Sequence, residues 1–388
     1  MARPLNVSKV PSVMPIALIP GLGHFVVHRK KRAFHLLGFF TAMMALVLFR
    51  WGVFWEALSS PLLDRWIASR FAIAALVLAI VFSVWDARRL AVALHEPVDE
   101  TAGRSPFRVA MRRFSENNLA LIALYVILFF YLVAILAPLL APYDPAAMGD
   151  ISATRYLVPS VSHPFGTDEF GRDWFSRAVY GARVSLSVGL LAVIVAVTFG
   201  TLFGSLSGYF GGFIDNMLMR IVDVIISIPT FFLLLMLVGV FEANLFALVL
   251  ILGFTSWTGT ARFIRGEILS LKERDFIESA RAIGLPHRLI IFRHLIPNAA
   301  APVLVSAALM VGGMIGAEAG LSFLGIGIRP PTPSWGNMVS AGGDAIYTYW
   351  WLALFPGVLL SVTILAFNLL ADGLRDALDP KTLMRKYV

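Results

Sequence analysis

Residues 119–140 read LALIALYVILFFYLVAILAPLL, a run without one charged side chain. At about 1.5 Å of rise per residue, a helix of this length crosses the ~30 Å hydrocarbon core of a bilayer. Lipid offers no hydrogen bonds to an open backbone, so only helices and closed barrels can span it. The run lacks the roughly ten-residue alternation of barrel strands. Working outward, similar runs occur near 33–49, 66–85, 184–206, 221–240, 245–264, 299–321 and 349–370. The expectation is an all-α integral membrane protein with about eight transmembrane helices.

Composition agrees. Of 388 residues, 58% are hydrophobic and only 14% charged, against roughly 25% charged in a soluble domain. Mean hydropathy is +0.79. The net charge of +8 could suit nucleic acid or a membrane surface. Because the basic residues lie in short loops between apolar runs, membrane lipid is the expected partner and nucleic acid is not. With no cysteine there is no disulfide framework or thiolate metal site. The first 15 residues are only mildly apolar, and no cleavable signal peptide is expected.

Orientation follows from the basic residues. With the N-terminus inside, the inner segments hold 24 of the 32 Lys and Arg side chains. They cluster before the first span, in 86–117, at Arg220, in 262–297 and after the last span. Both termini are therefore expected in the cytoplasm of a multi-pass inner-membrane protein. Three parts are expected: a two-span module at 1–95, a polar linker at 96–117, and a six-span part at 118–388. The last carries a long outer loop at 141–182 and an inner loop at 265–297.

The inner loop is the most informative stretch. Residues 273–297 read ERDFIESARAIGLPHRLIIFRHLIP. Asp275 can cap a helix, and Glu278 three positions later can close a capping box. Gly284 suits the left-handed turn that ends helices, and Pro286 prevents continuation. The spacing predicts a short helix over 276–283 and a second from about His287 to Pro297. Phe276, Ile277, Ala280 and Ile283 approximate an apolar stripe, Ser279 and Ala280 are small, and Glu278 and Arg281 can pair with each other or with a partner. Two readings fit: insertion into a groove on another protein, or a helix lying in the lipid interface.

The loop resembles one carried by permeases of binding-protein-dependent ABC importers: Glu-Ala-Ala, three residues, Gly, nine residues, Ile-x-Leu-Pro. Glu278-Ser279-Ala280, Gly284 and Leu295-Ile296-Pro297 fit that spacing, with Ser279, His294 and Ile296 as departures. Further matches run in order along 112–380. They include Ala137-Pro138-Leu139-Leu140-Ala141-Pro142-Tyr143-Asp144-Pro145, His163-Pro164-Phe165-Gly166-Thr167-Asp168 with Gly171-Arg172-Asp173, and Glu318-Ala319-Gly320-Leu321-Ser322-Phe323-Leu324-Gly325. Pro333-Ser334-Trp335-Gly336 and the stretch from Asp372 to Pro380 complete the series. These are similar to the second permease of dipeptide and oligopeptide importers, a group that also contains nickel-importer permeases.

The resemblance implies a second permease, two ATPase subunits and an extracytoplasmic substrate-binding protein as partners. It also implies a coupling helix built from Asp275, Glu278, Ser279, Ala280, Arg281, Gly284, Leu285 and Pro286. Residues 1–95 depart from the family plan, which has one span before the outer loop. Ile19-Pro20-Gly21-Leu22-Gly23-His24 resembles small two-span modules.

Gly200, Gly204, Gly208 and Gly212, and likewise Gly312, Gly316 and Gly320, recur every four residues on one helix face. That pattern suits packing within the subunit, or contact with a partner permease or the pathway. Glu318 is expected near the outer end of its span, and Asp223 is expected to pair with Arg220. His24, His28, His287 and His294 lack metal-site spacing. No glycine-rich phosphate loop is present, since none of the lysines follows a glycine. No cofactor is expected in this chain, ATP being bound by partner subunits, and no catalytic constellation stands out. A stand-alone secondary transporter would need inverted repeats and midplane charges, which the sequence does not display.

Overall fold

In a computed structural model, the described residues are 106–241, 244–343 and 345–378, with 67–74 and isolated positions between 37 and 64. The spans expected at 33–49 and 66–85 lie outside the described residues, apart from isolated positions in the first and the helical stretch 67–74 in the second. Regular structure among the described residues is helical throughout. The chain forms two compact units that meet between Tyr143 and Asp144.

The described part of the first unit contains helix Pro106–Phe114, inside the expected linker, and α1, Asn118–Ile135. Asn117 caps α1, its side-chain oxygen accepting from the Ala120 N–H at 3.2 Å. The second unit contains α2 (Trp174–Phe210), α3 (Gly212–Ser227), α4 (Thr230–Val240) and α5 (Leu245–Lys272). It continues through α6 (Asp275–Ala282), α7 (Ile296–Phe323), α8 (Trp335–Gly343) and α9 (Trp351–Leu378).

Among the described residues, five helices are long and apolar enough to cross a membrane, or six if α3 and α4, bent by 86°, count as one span. Six is the number expected after residue 118, and the total of eight is not reached among the described residues. The bend corrects the expectation of one continuous span over 221–240. Its cause is local: Pro229 has no N–H and forces the preceding Ile228 into extended backbone, with ψ 123°.

The axis of the second unit is the pairing of α2 with α5. In lipid, helices gain little from apolar contact as such, so close van der Waals approach must hold them. A Cβ at Gly200 would meet Thr260 Cβ at 2.5 Å, one at Gly204 the Ala261 carbonyl at 2.5 Å, and one at Gly208 the Arg265 carbonyl at 2.9 Å. This glycine face is thus filled by α5 of the same chain. Gly212 leaves the pattern: with Gly211 it has positive φ, and it opens α3 instead of extending the stripe. The second stripe is looser. A Cβ on Gly312 would meet Phe367 of α9 at 3.4 Å and one on Gly316 would meet Ile364 at 3.6 Å, whereas one on Gly320 would meet nothing within 4 Å.

The segment before α2 folds into a polar cap. Asp168 accepts the Phe170 and Arg172 N–H groups at 2.9 Å each and the Arg172 Nε at 2.7 Å. Asp173 caps α2 through the Ser176 N–H at 2.7 Å and lies 2.9 Å from His163 Nδ1. Trp174 Nε1 donates to the Leu352 carbonyl at 3.1 Å, and Trp335 Nε1 to that of Ala178 at 3.0 Å. Phe165 stacks on Phe355 with ring centroids 4.1 Å apart.

Glu318, expected near the end of its span, lies close to the end of α7 and belongs to this cap. It is fully buried. Ser185 Oγ donates to one carboxylate oxygen at 2.9 Å and Ser322 Oγ to the other at 2.7 Å. The same serines accept the Trp335 and Ile328 N–H groups. One carboxylate therefore joins α2, α7 and the segment leading into α8.

Candidate functional site

Directly after α5, α6 stands apart from the spans as a helix of two turns. The N-cap is Arg274, which makes no side-chain cap bond, and Asp275 is already the first helical residue. The expected Asp275–Glu278 capping box is therefore not formed. Both acids instead sit in the first turn and Arg281 in the last, the arrangement the helix dipole favours.

The far end matches the expectation. Gly284 has φ +75°. Its N–H donates to the Arg281 carbonyl at 2.9 Å, and the Leu285 N–H donates to that of Ala280 at 3.1 Å. This bond pair is the Schellman closure, which needs a left-handed residue at the position of Gly284. Leu285 packs back on the core that holds Ala280, the apolar contact that usually accompanies the motif. After Pro286 the chain passes through one turn, His287–Leu289, and a π-helical segment, Ile290–Leu295, directly into α7.

The apolar stripe expected on α6 divides in two. Ile277 is fully buried and Ala280 nearly so. They enter a core with Tyr209 of α2, Ile264 and Ile268 of α5, Ile290, Ile291 and Leu295 of the π-helical segment, and Ala299 of α7. Phe276 and Ile283 point outward, Ile283 being 75% exposed. Glu278, Ser279, Arg281, Gly284 and Pro286 are exposed as well. Ala280 thus packs inward, and the small residue on the open face is Ser279.

Ion pairs fix the surroundings. Asp215 of α3 receives Arg265 of α5 in a bidentate pair, both bonds 2.6 Å, and also the Ser207 hydroxyl. Asp223 pairs with Arg262 of α5 instead of the expected Arg220. The Arg220 pairing rested on a three-residue spacing, which gives way to an arginine brought close by the fold.

The sequence did not single out Tyr209. It is buried at the C-terminal end of α2, its hydroxyl 2.7 Å from His287 Nδ1. The Arg281 guanidinium lies over its ring, 5.4 Å from the centroid. The only signal in the chain is a tyrosine closing an apolar run, and nothing links it to a histidine far along the sequence.

An exposed helix, rooted by two side chains in the ends of three long helices, is built to transmit force. No group of His, Asp and Glu able to hold a metal is present among the described residues.

Residues 200–384 match the family described as binding-protein-dependent transport system inner membrane component. Residues 105–159 match the N-terminal TM domain of oligopeptide transport permease C. The chain is 41% identical to the dipeptide transport system permease protein DppC of Alkalihalophilus pseudofirmus, covering 74% of this chain and 93% of that protein. It is 43% identical to the oligopeptide transport system permease protein OppC of Escherichia coli K12, covering 73% and 93%. To the glutathione transport system permease protein GsiD of Salmonella typhimurium it is 44% identical, covering 72% and 91%. With this likeness over nearly the whole of each relative, and with the spans and the loop geometry described above, the chain belongs to the family of binding-protein-dependent transport system inner membrane components, as a multi-pass permease of the inner membrane.

Proposed function

We propose that the chain is a permease subunit of an ATP-driven peptide importer. It forms the translocation path with a second permease and receives force from two ATPase subunits at α6. ATP is bound by those partners, and an extracytoplasmic binding protein delivers substrate on the other side. Both termini lie in the cytoplasm. Peptide is the substrate class because the relatives above are named for dipeptide, oligopeptide and glutathione transport. No observation here favours a nickel chelate.

The observation that carries the coupling role is the two-sided build of α6. Phe276, Glu278, Ser279, Arg281 and Ile283 offer an open face of mixed character, while Ile277 and Ala280 are sunk in the core of α2, α5 and α7. A groove on an ATPase can take the open face. When the ATPase pair closes on ATP it displaces α6, and the buried side chains carry that movement into three helices. At about 55 Å, α2 is longer than the ~30 Å hydrocarbon core, so its ends reach both surfaces. The helices rock as a rigid body between inward-open and outward-open states.

The test is reconstitution. Proteoliposomes holding the two permeases, the ATPase subunits and the binding protein should accumulate a labelled dipeptide or oligopeptide only with ATP inside the ATPase compartment. Uptake by this chain alone would overturn the reading, and so would a complete complex that hydrolyses ATP without moving any peptide.

A further inference from the structure

We infer that Tyr209 is a positioning residue for energy coupling: it clamps both sides of the Gly284 turn to the inner end of α2. The inference rests on the coupling role proposed for α6 and adds a residue and a geometry to it.

The turn from Gly284 to Pro286 separates α6 from the helix that becomes α7. Its backbone closure fixes the end of α6 but not the angle at which the next helix leaves. Tyr209 touches a residue on each side. Its ring lies under the Arg281 guanidinium of α6, and its hydroxyl bonds to Nδ1 of His287 just past the turn. The rings of Tyr209 and His287 also meet edge to face, with centroids 5.5 Å apart. The body of Tyr209 is held in the core with Ile268, Ile277 and Ile290. It also follows Gly208, whose closeness to the Arg265 carbonyl fixes this end of α2 against α5.

Arg281 and His287 are both exposed, so a partner pressing on α6 pushes against a turn whose angle is tied to α2. Without the hydroxyl, the turn can yield locally while α2 stays in place. ATP would then be consumed with less movement of the spans.

The complete complex in proteoliposomes tests this with two variants of His287 and one of Tyr209. In Tyr209→Phe, which keeps the ring, peptide transported per ATP hydrolysed should fall about three-fold or more, the scale of one part-buried hydrogen bond. Complex assembly and thermal midpoint should hold. The Asn side chain carries a polar atom near the place of Nδ1 and the Gln side chain near that of Nε2. His287→Asn should therefore keep the wild-type ratio, and His287→Gln should lower it as Tyr209→Phe does. The double variant Tyr209→Phe with His287→Gln should be no worse than either single one. The inference fails if the ratio is unchanged in Tyr209→Phe, if Asn and Gln behave alike, or if the ratio falls only in step with lost assembly. Wild-type uptake, measured in the same vesicles, tests the importer reading separately.

Discussion

The two ends of the second unit are built on opposite principles. At the cap before α2, buried polar groups hold the fold: Asp168 with Arg172, Asp173 with Ser176, and Glu318 with Ser185 and Ser322. At the α6 end, an apolar core holds a helix whose other face is open, the pairs of Asp215 with Arg265 and Asp223 with Arg262 lie around it, and the Tyr209 hydroxyl bonds to His287. A network of short bonds has one satisfied geometry and resists displacement. An apolar seat fixes no bond geometry of its own, so the angle at the turn after α6 is held by the Tyr209 contacts. The difference suggests an anchor at one end and a lever at the other, which suits a subunit driven from one side.

The comparison breaks most visibly at the cap. Asp168→Ala would leave the guanidinium of Arg172, with a side chain only 8% exposed, without its carboxylate, and Arg177 Nε without the oxygen 3.8 Å away. Removing one partner of a buried pair costs about 3–5 kcal/mol. Thermal unfolding of the purified complex in detergent should show a large loss. A midpoint within a degree of wild type would mean that the cap does not anchor the fold.

At the lever, the two faces of α6 should separate cleanly. Ile277→Ala empties a fully buried site and is expected to cost about 2–4 kcal/mol. Ile283→Ser, at a position 75% exposed, should cost under about 0.5 kcal/mol yet weaken ATPase binding and uptake. Binding of the ATPase subunits to detergent-solubilised permease, read beside the thermal midpoints, distinguishes them. Equal effects on stability would remove the division between the faces.

Gly284 gives the smallest and sharpest test. A Cβ there would meet nothing within 4 Å, so any penalty comes from φ +75° alone, about 1–2 kcal/mol for a branched residue. Gly284→Val should lower uptake per ATP, whereas Gly284→Asn, which tolerates the left-handed region, should stay close to wild type. A Val variant with full uptake per ATP would show that the turn geometry is not used.

Much of this was legible in the sequence, for physical reasons that differ by region. Apolar runs such as 119–140 fix the spans because lipid leaves the backbone no alternative. Gly284 and Pro286 mark the turn because few residues accept that backbone. The capping box was misread because Asp275 can serve either as a cap or in the first turn, and the sequence does not separate the two. The ion pair of Asp223 with Arg262, the serine cradle of Glu318 and the clamp at Tyr209 join residues distant in sequence, which no local spacing reveals. The bend at Ile228 was available in Pro229 but was overridden by the continuous apolar character of 221–240.

The most direct measurement uses the absence of native cysteine. Ile283→Cys makes a single thiol in this chain on the open face of α6. A thiol-reactive cross-linker applied to the complete complex should join that position to an ATPase subunit, stop ATP-driven peptide uptake, and release it again when a reducible linker is cleaved. A complex that forms no such cross-link, or that carries it and still takes up peptide at the full rate, would contradict the account.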